Sequence, residues 1–322
     1  MKEGLITMSN KELTRLEVVQ GLYDKRLTQP EVALILNLSI RQVKRLYKRY
    51  KEYGPKGLIS KKRGMSSNHR LPDEIKNQSL DLILNNYRDF GPTFAHEKLK
   101  EMHGLPLSVS SVRNIMILNN IWHPKRVKKR TIHQLRERRP AYGELIQIDG
   151  SPHDWFEGRS PECTLLVYID DATSTIMELI FVKSETTWNY MEVTKSCLLK
   201  HGKPLGYYSD KHGVFRVNRP NSLAETNLTQ FGRALKQLDI KLICANTPQA
   251  KGRVERANKT LQDRLVKELR LRNISTMEEA NEYLPSFIKD YNKRFSKPAK
   301  SPLNAHRIIK GFNLDRIFIF TI

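Results

Sequence analysis

Cysteine is scarce in this chain: Cys163, Cys197 and Cys244 stand far apart, and no CxxC pair occurs. That spacing argues against a paired-cysteine zinc finger and against a disulfide framework, and it fits a reduced compartment. The nine histidines form no ligand-spaced set with the cysteines, and His96 and His103 fall on a predicted helix surface. No apolar run of about 18 residues appears, so a spanning helix is not expected. The opening MKEGLITMSNKEL lacks the apolar core of a secretory leader. Met8, just ahead of Ser9 and a helical pattern, competes with Met1 as the start. Acidic residues are also in short supply, with 34 Asp+Glu against 56 Lys+Arg and a formal charge of +22. Such a balance favours a polyanionic partner, nucleic acid ahead of a membrane surface. An intracellular protein without a membrane partner is therefore expected.

At 322 residues the chain is long for one domain. Residues 1–140 hold 29 Lys+Arg and 13 Asp+Glu, whereas residues 141–322 hold 27 and 21. The excess charge is thus concentrated in the first part. Within it, the stretch from Lys125 to Arg139 (KRVKKRTIHQLRERR) has eight basic residues and one acidic. It reads as a linker over 125–140, with Lys125, Arg126, Lys128, Lys129 and Arg130 along phosphates or simply in solvent.

Two helical segments precede this linker. In the first (1–56), helices are expected from Asn10 to Tyr23, over TQPEVALIL with Thr28 as cap, and over SIRQVKRLYKRYKEY. The last carries Val43, Leu46, Tyr47 and Tyr50 as an apolar stripe, and Arg41, Gln42, Lys44 and Arg45 opposite. A third helix of this kind suits the major groove, where Arg and Gln read guanine and adenine edges. The second (57–124) repeats the pattern more weakly, ending in SVSSVRNIMILNN with Arg113 and Asn114 outward. Two heads imply a composite site on double-stranded DNA.

After Pro140 the period changes. ELIQID, CTLLVYID and STIMELIFV read as strands, followed by a helix closed by Gly202 and the strand LGYYSD. A helix over TNLTQFGRALKQL, the strand IKLICAN and a helix starting near Gly252 complete an α/β core with a mixed five-stranded sheet. Asp149 and Asp210 are placed at strand ends and Glu255 at a helix start. Each alone fits an ordinary turn or surface residue. Together they form a set whose repulsion divalent cations would remove. Mg²⁺ suits such oxygen ligands, and two ions can clamp an in-line phosphoryl displacement.

IQIDGSPHDWF, GYYSDKHGVF and NTPQAKGRVERANKTLQDRL resemble the three acidic motifs of the DDE transposase/integrase group, and within it the ISNCY-type insertion-sequence transposases. The match runs from the helical heads to about Phe295. It implies an RNase H-like core over 141–296, with Asp149, Asp210 and Glu255 binding two Mg²⁺, or Mn²⁺. It also implies cleavage and strand transfer at element ends by a homodimer or larger assembly. Arg253, Arg256 and Lys259 would hold DNA. His212 would touch the scissile phosphate or be a plain loop residue, and His153 and Trp155 would seat a base or simply pack. The separations are 61 and 45 residues, the second longer than is common in the group. No histidine/cysteine zinc module precedes the core. Residues 297–322 read as the start of a truncated β-rich domain ending in an apolar strand, NLDRIFIFTI. Rival readings are a DNA-binding regulator or inactive remnant, and a nuclease that never joins ends.

Overall fold

A computed structural model of the chain describes residues 6–63, 65, 70–124, 137–217, 228–245 and 252–319. It divides into two compact units, Met1–Pro124 and Lys125–Ile322.

The first unit begins with three helices, α1 (Asn10–Tyr23), α2 (Gln29–Leu36) and α3 (Ile40–Tyr53). Each starts on a capping box, from Ser9, Thr28 and Ser39, which satisfies donors left open at a helix start. Asn37 takes the left-handed conformation (φ 51°) that ends α2 and turns the chain into α3. Leu22, Val32, Ala33 and Val43 make the small core. Glu12 ties the segment after α3 back to α1. Its carboxylate accepts from the Ser9 and Ser60 backbone N–H groups, each at 2.8 Å, and pairs with Arg63. A second set follows, α4 (Asp73–Asn86), α5 (Pro92–His103) and α6 (Val109–Leu118). Gly104 stops α5 at φ 65°, and Val112, Ile115 and Met116 turn inward on α6.

The second unit is built on a five-stranded sheet in the order β3-β2-β1-β4-β5. Its strands are β1 (Ile146–His153), β2 (Cys163–Asp170), β3 (Ile176–Val182), β4 (Gly206–Ser209) and β5 (Lys241–Cys244). β1 pairs antiparallel with β2 and parallel with β4, which in turn runs parallel to β5. This is the mixed, RNase H-like arrangement the resemblance implied. Helices cover both faces. α7 (Thr187–His201) and α8 (Gln230–Gln237) pack on the face holding Ile146, Ile148 and Tyr168. On the other face, α9 (Gly252–Leu271) and α10 (Met277–Phe295) lie against Leu165, Val167 and Phe181. In α9, Val254, Ala257, Leu261 and Leu265 are buried at helical spacing, each large aliphatic worth about 1.5–3 kcal/mol.

Two expectations change here. Asp149 lies inside β1, because β2 pairs with β1 as far as His153 and so extends the strand beyond the expected ELIQID. Among the described residues, the segment after α10 (297–319) forms no strand of a separate sheet and packs back on the α/β unit. Lys297, Ser301 and Ala305 donate backbone bonds to Thr173, Pro140 and Tyr142, and Arg307 exchanges backbone bonds with Lys203. Within it lies a short helix, α11 (Leu314–Ile317), with Leu314 and Phe318 buried in the α7–α8 layer.

Candidate active site and DNA-reading faces

Alternation along β1 sends Ile146 and Ile148 to one face and Gln147, Asp149 and Ser151 to the other. Above that second face runs α9, and three polar contacts join the two elements in step. The Val254 N–H donates to Gln147 Oε1 at 3.1 Å, Asn258 Nδ2 to Asp149 Oδ2 at 2.9 Å, and Gln262 Nε2 to Ser151 Oγ at 3.0 Å. The geometry explains the match. Two strand residues advance about 6.6 Å, and four helical residues advance about 6.0 Å. Strand positions i, i+2, i+4 can therefore meet helix positions j, j+4, j+8. Gln147 also fills a structural need, giving an acceptor to an N–H in the first turn of α9.

The parallel pairing of β1 with β4 sets Ile146 against Tyr207 and Gln147 against Tyr208. The observed pairing ends there; its offset of 61, carried two residues further, would bring Asp149 level with Asp210. The separation of the two aspartates in the sequence equals the pairing offset. Asp210 follows β4 directly, and its Oδ1 accepts from the His212 N–H at 2.9 Å. Glu255 is half-buried in the first turn of α9, one residue after the Val254 contact. Among the described residues, no three His, Cys, Asp or Glu side chains form a metal-holding group. The β1–β4 offset equals the Asp149–Asp210 separation and Glu255 lies on the helix that covers β1, but the three acids are not gathered into one group among the described residues.

Several sequence-derived residues take other roles. Trp155 is fully buried, donates from Nε1 to the Ser151 carbonyl at 3.0 Å and packs edge-on to Phe181. It is a core residue, not a stacking platform. Arg253 turns inward and pairs with Asp171, Nε to Oδ1 3.1 Å, where a buried carboxylate demands a partner. Arg256 and Lys259 are exposed, His212 lies in an exposed turn, and half-buried His153 packs edge-on to Trp155. In the first unit Arg41, Lys44 and Arg45 are exposed on α3, but Gln42 folds back, its Oε1 accepting from the Ser39 N–H at 2.9 Å. Arg113 and Asn114 are exposed on α6. Lys125, Arg126, Lys128, Lys129 and Arg130 lie outside the described residues.

Other residues around the acids were not anticipated. Asn258 beside Asp149 has a buried Oδ1 with no hydrogen-bond partner among the described residues. On the opposite face of β1, Glu185 lies against Gly150, where a Cβ would strike its carboxylate, and accepts from the Tyr190 hydroxyl at 3.1 Å. Fully buried Asp171 gathers Gln147, Arg253 and the Arg139 backbone. One signal was in plain view: Gln147 and Ser151 share the alternation of Asp149, and Asn258 and Gln262 are spaced by one helical turn.

The described residues include no helix long and apolar enough to cross a membrane. A family model described as a helix-turn-helix domain matches residues 14–64, which take in α2 and α3. Among solved structures, the catalytic core domain of HTLV-2 integrase in complex with magnesium covers 52% of this chain and 100% of its own, at 18% identity and a TM-score of 0.39. A protein named "Putative transposase y4bF" from Sinorhizobium fredii is 47% identical over 307 residues, covering 94% of this chain and 67% of the relative. The transposase for insertion sequence IS1202 from Streptococcus pneumoniae is 37% identical over 320 residues, 88% of this chain and 68% of the relative. Identity at that level, sustained through both the helical heads and the α/β core, means that this chain belongs to the insertion-sequence transposases.

Proposed function

We propose that Asp149, Asp210 and Glu255 are the acids of metal-dependent phosphodiester cleavage and strand transfer at the ends of an insertion sequence. The observation that carries this reading is the coincidence of the 61-residue Asp149–Asp210 separation with the β1–β4 pairing offset. Two carboxylates held side by side at one end of a parallel pair repel each other unless a cation lies between them. The donor set fits Mg²⁺ or Mn²⁺: hard carboxylate oxygens, with the buried amide oxygen of Asn258 alongside. Glu255 completes the set once cations offset the mutual repulsion of the three acids. Two bound ions would supply activation of the attacking oxygen and stabilisation of the leaving one.

This chain's own groups do the rest. Asn258 fixes one Asp149 oxygen. Exposed Arg256 and Lys259, on the same helix as Glu255, meet the phosphates flanking the scissile bond. His212, in the turn that Asp210 caps, holds a nearby phosphate in this reading. Arg41, Lys44 and Arg45 on α3 read a major groove, α6 reads a second with Arg113 and Asn114, and the basic linker from Lys125 meets phosphates. Paired cleavage of two ends calls for at least a homodimer.

The test is the set Asp149→Asn, Asp210→Asn and Glu255→Gln, assayed for Mg²⁺-dependent nicking of end-sequence DNA and for DNA affinity. Each change should reduce nicking by at least 100-fold and leave affinity within about threefold. Full activity in any one variant removes that residue from the set. Specific binding with no cleavage by the wild type would favour a regulator instead.

A further inference from the structure

Asp171 plays no part in the proposed chemistry, yet few groups in the unit are more constrained. It follows β2 directly and is fully buried. Its Oδ1 accepts from Gln147 Nε2 at 2.7 Å and lies 3.1 Å from Arg253 Nε, and its Oδ2 accepts from the Arg139 N–H at 2.8 Å. Both side chains on Oδ1 lead toward the acids. Gln147 stands two residues before Asp149 on β1 and holds the Val254 N–H with its other amide atom. Arg253 stands two residues before Glu255 on α9, with its side chain only 13% exposed.

A buried carboxylate is costly, and an apolar residue of like volume often serves stability as well or better. What an apolar residue cannot supply is direction. The carboxylate holds β1 through Gln147 and the first turn of α9 through Arg253, so the two elements bearing Asp149 and Glu255 share one reference point. The Arg138 guanidinium reinforces this corner by donating to the Ala172 carbonyl and Ser174 Oγ at 3.0 and 2.9 Å.

We infer that Asp171 is a positioning residue that sets the rotation and height of the α9 start, and hence Glu255, relative to Asp149. It acts through Gln147 and Arg253 and touches neither metal nor DNA. The inference rests on the proposed metal-binding role of the three acids. Groups that orient metal ligands in this way typically change metal affinity by about 10–100-fold when altered.

The experiment compares the full chain with Asp171→Asn, Arg253→Lys, the double variant Asp171→Asn/Arg253→Gln, and Asp149→Asn. Thermal melting checks folding, and the free Mn²⁺ signal in electron paramagnetic resonance gives metal affinity without reference to activity. Asp171→Asn keeps the shape and removes the charge that holds Arg253. It should weaken Mn²⁺ binding by about 10-fold or more while melting cooperatively. Arg253→Lys should show a smaller loss, and the neutral pair should recover part of the affinity. If Asp171→Asn does not fold, Arg253→Lys and the neutral pair carry the test. Mn²⁺ uptake lost in Asp149→Asn but unchanged in every folded variant at 171 and 253 overturns the positioning role alone. A wild-type chain that takes up no Mn²⁺ overturns the metal reading and this inference with it.

Discussion

Replacing Gly150 by alanine probes the packing directly behind the acids. A Cβ at this position would collide with the Glu185 carboxylate. Glu185 is half-buried on a flexible side chain, so it can swing outward without forcing β1 from its neighbours. Tyr190 cannot follow it, being fully buried on α7. Burial, and then the Glu185 and Asp149 carboxylates, push the Tyr190 phenol far above its ordinary value, so it remains a donor. Left without its acceptor, that hydroxyl costs about 1–3 kcal/mol. Alanine in place of glycine returns about 0.4–1 kcal/mol by restricting the unfolded chain. The net loss should be about 1–2 kcal/mol, with each kcal/mol lowering Tm by about 2–4 °C in a unit of this size. Calorimetry on the wild type, Gly150→Ala, Tyr190→Phe and the double variant separates the contributions. Without the hydroxyl, the alanine should be neutral or slightly stabilising. An equal loss from Gly150→Ala in both backgrounds would refute the argument, because the cost would then lie in the backbone.

Three further outcomes are expected. Backbone N–H groups of Ser9 and Ser60 hold the Glu12 carboxyl down to about 2, against 4.5 unperturbed. Its contribution to the first helical bundle is therefore complete above pH 4.5 and lost as pH falls through 2; a Glu12→Gln variant should lack that acid-dependent step in a circular-dichroism titration. Trp155→Ala should destabilise the α/β unit by about 3–5 kcal/mol, whereas Trp155→Phe keeps most of the packing and should not weaken DNA binding. Reduced DNA affinity in a folded Trp155→Phe would restore the base-stacking role. Finally, Arg41→Ala with Arg45→Ala should reduce specific over non-specific DNA affinity at fixed salt by at least 10-fold, read by fluorescence anisotropy. A uniform drop on all sequences would make both residues phosphate contacts.

Much of the fold was legible in the sequence because it is decided locally. The periods of α1 to α3, the caps at Thr28 and Gly104, and the alternation of Gln147 and Asp149 against Ile146 and Ile148 depend on neighbours a few residues away. The buried stripe Val254, Ala257, Leu261 and Leu265 is likewise a property of one helix. The resemblance to the transposases rested on three short acidic motifs of the same kind. What the tertiary structure alone decided concerns partners distant in the chain. β2 extended β1 past Asp149, and β4 paired with β1 at an offset equal to the Asp149–Asp210 separation. A buried carboxylate at 171 drew Arg253 away from solvent, and dense packing around Phe181 took Trp155 into the core. Composition marks arginine and tryptophan as apt for phosphates and bases, but a side chain faces whichever partner the fold brings within reach. Burying a charge requires an opposite charge, and that requirement is settled only when the strands and helices meet.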